Sequence, residues 1–181
     1  MKPSLYDRRF TLIPWIIIIA ASVIIDQVTK LFASRLLGEG GSVDVIPEIF
    51  RFTYVENEGA AFGMLSDNRW VFMIISTVAI VGMLIYLWKF RPDSVLACAS
   101  LSMIIGGGIG NMIDRVAYGY VIDFLDFCAF PEIWPWVFNV ADSFVCVGGA
   151  LLMLWLVISI IQEYRQEKKN KETNKPIDGE E

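Results

Sequence analysis

The chain has 181 residues, 55% hydrophobic and only 19% charged, with a net charge of -5 and a mean hydropathy of +0.53. Soluble domains carry about 25% charged residues, so an ordinary water-soluble enzyme fits poorly, and the negative balance gives no support for nucleic-acid binding. Histidine is absent, which excludes Ser-His-Asp and Cys-His catalysis and every histidine-ligated zinc site.

Four apolar stretches approach or exceed the roughly 20 residues that cross a bilayer as a helix. The first covers 10–25 and follows Arg8 and Arg9. It reaches full length only if the helix runs on through Asp26 and Lys30 to Phe32. No small-residue cleavage site follows it, so it reads as a retained span and not a signal peptide. The next segment contains Phe50-Arg51-Phe52-Thr53-Tyr54, whose alternation suggests a half-buried strand, with a chance pattern in a loop as the alternative. A turn-like run with two glycines follows, from Asn57 to Gly63. The second and third spans cover 70–88 and 94–113. A second loop holds Asp123 and the aromatic run Phe130-Pro131-Glu132-Ile133-Trp134-Pro135-Trp136, which suits a membrane interface. The fourth span covers 137–161. The residues after Tyr164 are polar and mixed in charge, as in a solvated, partly disordered tail.

Lys and Arg set the orientation. Ten of the 15 lie in the N-terminal tail, the short link between spans two and three, and the C-terminal tail. Both termini are therefore expected to be cytoplasmic, with the two longer loops outside.

On that topology the polar residues converge on one leaflet. Asp26 and Lys30 end span one, and Asn57 lies in the first outer loop. Asn111, Asp114 and Arg115 end span three, Asp123 is in the second loop, and Asn139 and Asp142 begin span four. Ionisable groups in a membrane are costly and read as functional. Simpler roles compete: an i,i+4 ion pair for Asp26 and Lys30, a turn for Asn57, and a helix cap for Asp142. Gly106, Gly107, Gly108 and Gly110 allow close approach of helices or ligand. Two carboxylates, Asp123 and Asp142, sit among large apolar groups. Facing each other they could share one proton. One would then take a proton from an attacking water while the other polarises an amide carbonyl.

Five blocks carry a resemblance over nearly the whole chain. They are Asp26-Gln27-Val28-Thr29-Lys30, Asn57-Glu58-Gly59-Ala60-Ala61-Phe62-Gly63, the run from Gly106 to Arg115, Gly119-Tyr120-Val121-Ile122-Asp123-Phe124, and Phe138-Asn139-Val140-Ala141-Asp142-Ser143. In this order, on a four-span chain, they resemble the bacterial lipoprotein signal peptidases, the signal peptidase II family. The resemblance implies an aspartic endopeptidase in the bacterial cytoplasmic membrane, with no cofactor and no metal. It would remove signal peptides from diacylglyceryl-modified prolipoproteins by cutting before the lipidated cysteine. Asp123 and Asp142 would be the dyad; Asn57, Asn111, Arg115 and Asn139 would bind substrate. Asp26, Lys30, Asp114 and Gly108 would support the site. Membrane lipid and the cyclic peptide inhibitor globomycin are the further partners implied.

The fold expected is an all-α polytopic membrane protein of four transmembrane helices, with a small extramembrane β-sheet in the first outer loop. Residues 1–164 would form the peptidase domain and 165–181 a polar cytoplasmic tail. Two other functions stay open from the residues alone. One is a metal-dependent lipid head-group transferase, from the faint Gly119–Asp123–Asp126 pattern. The other is a small proton-coupled transporter, since intramembrane acids also relay protons.

Overall fold

The computed structural model describes residues 5–58, 69–90, 92 and 94–173. Most of the Asn57–Gly63 motif, residues 59–63, lies outside them. Four helices and four strands follow in the order α1 (Leu5–Leu37), β1 (Ser42–Ile46), β2 (Phe50–Asn57), α2 (Arg69–Lys89), α3 (Val95–Ala117), β3 (Val121–Phe127), β4 (Val137–Phe138) and α4 (Val140–Thr173).

α3 is the centre of the bundle and packs against α1, α2 and α4. Its sequence explains why. A Cβ at Gly106 would lie 2.6 Å from the Ser22 side chain of α1, and one at Gly107 would meet the Ala141 carbonyl of α4. Glycine at these two points lets backbone approach backbone, as membrane helices require. Ser94 caps the start of α3 by accepting from the Ala97 amide. At the far end Gly119, at φ 91°, turns the chain into β3.

Among the described residues three helices are long and apolar enough to cross a membrane: Leu12–Leu37, Val95–Ala117 and Val140–Lys171. Within α2 the shorter stretch Met73–Lys89 is also apolar. Large apolar side chains point outward along these helices, among them Ile17 at 60%, Val78 at 68% and Trp88 at 68% exposure. In water such a surface would aggregate; in lipid it is the matched solvent. The buried apolar core is small, with Ile80, Leu87, Cys98, Leu101 and Ile105 at its centre.

The sheet corrects one expectation. It is not confined to the first loop: β1-β2-β3-β4 form one antiparallel sheet, and its second half comes from the segment after α3. The chain is therefore mostly helical but not all-α. β3 lacks simple alternation because both its faces are covered; Val121 through Phe124 are all buried. The tail differs too. Residues 165–173 continue α4, since Glu, Lys, Arg and Gln are good helix formers.

Candidate active site

The polar residues assemble between the C-terminal halves of α1 and α3, the start of α4 and the paired strands β2 and β3. On α1, Ser22, Asp26 and Lys30 recur every fourth residue and form one buried stripe. Lys30 is 2% exposed and Asp26 fully buried. The Lys30 ammonium pairs with Asp26 at 2.9 Å and with Asp114 of α3 at 2.8 Å. Its third donor goes to Asn111 Oδ1 at 2.9 Å, so all three ammonium protons have acceptors. The i,i+4 pair foreseen from sequence is present, as part of a three-charge cluster.

Asn111 links this cluster to Asp142. Its Nδ2 donates to Asp142 Oδ1 at 2.7 Å, while its Oδ1 also accepts from Asn139 Nδ2 at 3.0 Å. Asn139 is fully buried and stands immediately before α4. Its Oδ1 accepts from the Asp142 amide at 2.8 Å, and its own amide donates to Asp142 Oδ2 at 3.2 Å. This reciprocal pair is a capping box. The capping role and the site role of Asp142 thus coexist. From the same Asn139, Nδ2 donates to Asp123 Oδ1 at 2.6 Å. Asn57, the last residue of β2, donates to Asp123 Oδ2 at 2.8 Å. Asn139 thereby touches both carboxylates and joins β3 to α4.

Burial pushes the Asp123 carboxyl up to about 7, and the nearby Asp142 charge adds to this; hydrogen bonds from Asn57 and Asn139 and the Lys30 charge oppose it. Arg115 is half-buried, donates to the Asn111 carbonyl at 3.3 Å, and lies within electrostatic reach of Asp142 and Asp123. Gly108 does not touch the carboxylates; a Cβ there would meet Ile80 of α2 at 3.1 Å. Its contribution is the seat of α2 on α3.

One participant was not singled out by sequence reasoning. Gln27 Nε2 donates to Asp114 Oδ1 at 2.9 Å and lies 3.2 Å from both Gly110 O and Asp26 Oδ2. Its place directly beside Asp26 on a lipid-crossing helix was the available signal, since an amide there also needs partners. Asp126, which the sequence offers only as part of the transferase pattern, has a different place. It is buried and pairs with Arg51 of β2 at 2.6 Å, where it braces the sheet away from the site.

Fold and site together define a helical membrane protein with an asparagine-bridged pair of carboxylates at one end of the bundle. The sequence profile of Signal peptidase (SPase) II matches residues 18–158, and the chain belongs to that family. It is 50% identical to the lipoprotein signal peptidase of Caldanaerobacter subterraneus subsp. tengcongensis, over 76% of this chain and 91% of that protein. With the lipoprotein signal peptidase of Geobacter metallireducens the identity is 46%, over 85% and 94% of the two chains. A solved bacterial membrane enzyme, determined in meso at 2.3 Å, has a TM-score of 0.73 at 30% identity and covers 92% of this chain and 94% of its own. These relatives match neither a head-group transferase nor a transporter. The protein is a hydrolase of the signal peptidase II type.

Proposed function

We propose that this protein cleaves signal peptides from diacylglyceryl-modified prolipoproteins, before the lipidated cysteine, using Asp123 and Asp142 as an aspartic dyad. The observation that carries the reading is the Asn139 bridge. It holds two carboxylates from β3 and α4 on one residue, Asp123 on the Asn139 side chain and Asp142 on the Asn139 backbone amide.

The chemistry follows from the environments of the two acids. Two close carboxylates hold one proton between them. The deeper burial of Asp123, at 2% exposure, favours the shared proton there, and Asp142 serves as the general base. Asp142 takes a proton from water as its oxygen attacks the scissile carbonyl carbon. Asp123 donates its proton to the carbonyl oxygen, giving a neutral tetrahedral diol. Collapse of the diol breaks the C–N bond. Asp142 then passes its proton to the leaving nitrogen, and Asp123 recovers one from the diol. Arg115 and Asn57 bind the substrate backbone, with Asn111 and Asn139 holding the acids in line. A signal peptide enters as a helix and must be extended at the cut; asparagine and arginine donors replace the hydrogen bonds lost there.

In this reading α2 is the fourth span, since 21 residues of helix reach about 31 Å. Both termini are cytoplasmic and the dyad lies toward the outer leaflet of the bacterial cell membrane. Residues 1–164 form the peptidase domain and 165–181 a cytoplasmic tail. Membrane lipid surrounds the bundle, and a globomycin-type cyclic peptide competes with substrate at the dyad. The test is a cleavage assay in detergent with a prolipoprotein offered with and without its diacylglyceryl group. Cutting of the lipidated form alone is expected. Equal cutting of both forms would overturn the substrate assignment.

A further inference from the structure

The buried charges on α1 and α3 reach the dyad through the backbone as well as through Asn111. Asp114 Oδ2 accepts from the Ile122 amide at 3.1 Å, one residue before Asp123. Asp26 Oδ1 accepts from the Ala141 amide at 2.9 Å, one residue before Asp142. The two carboxylates that grip these amides are themselves locked across the Lys30 ammonium. Gln27 spans them from the side, near an oxygen of each. Asp26, Lys30 and Asp114 are each at most 2% exposed, so bulk water does not compete for these bonds.

We propose that the Asp26–Lys30–Asp114 cluster, keyed by Gln27, is a clamp that sets the separation of Asp123 from Asp142, with Gln27 as a positioning residue. The proposal rests on the dyad reading above. A buried ion cluster contributes little net stability compared with apolar packing of equal volume. Its geometric consequence is specific: two backbone amides, each adjacent to one acid, are tied to a single rigid group. The distance between β3 and the start of α4 then depends on two carboxylates and one ammonium, not on the lipid-facing packing of whole helices. Gln27 is the neutral member of the cluster. Its removal frees Asp114 Oδ1 while every ion pair remains, so the bundle still folds but the Asp114 carboxylate can rotate.

The expected effect is on turnover, because small misplacements of reacting groups cost up to about 100-fold in rate. Gln27→Met keeps the length of the side chain and removes its donor. In the purified full chain, kcat is expected to fall about tenfold or more, with KM within about twofold. Hydrogen exchange by mass spectrometry is expected to quicken at the amides of 121–123 and to stay unchanged in the inner half of α4. An unchanged kcat beside an active wild type would overturn the clamp. So would faster exchange spread evenly over the bundle, which marks general loosening instead. A wild type that cleaves nothing sinks the peptidase reading, and the exchange pattern still reports on the clamp.

Discussion

Asn139 and Asp142 cap the first turn of α4 reciprocally, each accepting from the other's backbone amide, and Asn139 also donates to Asp123. One asparagine therefore serves helix and site through different atoms, and substitution can separate the two. Asn139→Ala removes both; Asn139→Ser keeps a good cap and loses the reach to Asp123. The serine variant is expected to recover about 1 kcal/mol of stability over alanine, with cleavage at least tenfold below wild type in both. Thermal unfolding beside the cleavage rate checks this.

The raised Asp123 pKa has a sign. The folded value is about 7 against an ordinary 3.8, so between about pH 4 and 7 the unfolded chain releases this proton and the folded chain keeps it. This group therefore lowers stability as pH rises through that window, and the loss is complete above 7. Asp123→Asn removes the titration. Unfolding midpoints measured in detergent at pH 5 and pH 8 are expected to drop more for wild type than for Asp123→Asn. In the wild type, turnover is also expected to decline above pH 7, as the shared proton leaves.

Lys30 neutralises two buried carboxylates. Lys30→Met leaves both without their cation and is expected to cost about 3–5 kcal/mol, as breaking a buried pair does. Adding Asp26→Asn and Asp114→Asn removes the stranded charges and keeps acceptors for the Ala141 and Ile122 amides. The triple variant is expected to recover most of the stability. Denaturant titration of the single and triple variants makes the comparison.

Gly110 allows α3 to approach Asp26. A Cβ there would lie 2.5 Å from Asp26 Oδ2, closer than any real contact. Gly110→Ala is expected to push Asp26 off the Ala141 amide and lower cleavage by tenfold or more. Gly149, in α4, has open space at the same position. Gly149→Ala is expected to leave cleavage unchanged and to gain up to about 1 kcal/mol. The two cleavage rates, measured side by side, test the contrast.

Much of the site is readable in the sequence because polar residues in apolar helices have few alternatives. Asp26 and Lys30 within α1, Asn111 and Asp114 within α3, and Asn139 and Asp142 at the start of α4 each stand among apolar residues, and the structure brings them together. Gln27 was less visible, since an uncharged amide carries a weaker penalty in lipid. The sheet was half legible. Phe50 to Tyr54 alternates in the manner of a strand with one exposed face. Val121–Phe127 does not, because burial on both faces removes the alternation. Its pairing with β2 is a long-range contact that local pattern does not encode.

The most direct test of the dyad is cleavage of a diacylglyceryl-modified prolipoprotein by purified Asp123→Asn and Asp142→Asn, each checked for wild-type-like folding, with wild type assayed with and without a chelator. The folded variants are expected to cleave at least 1,000-fold more slowly, on the order of other catalytic-group deletions, and the wild type is expected to be indifferent to the chelator. Wild-type rates in either folded variant, or loss of wild-type activity with chelator, would contradict the dyad.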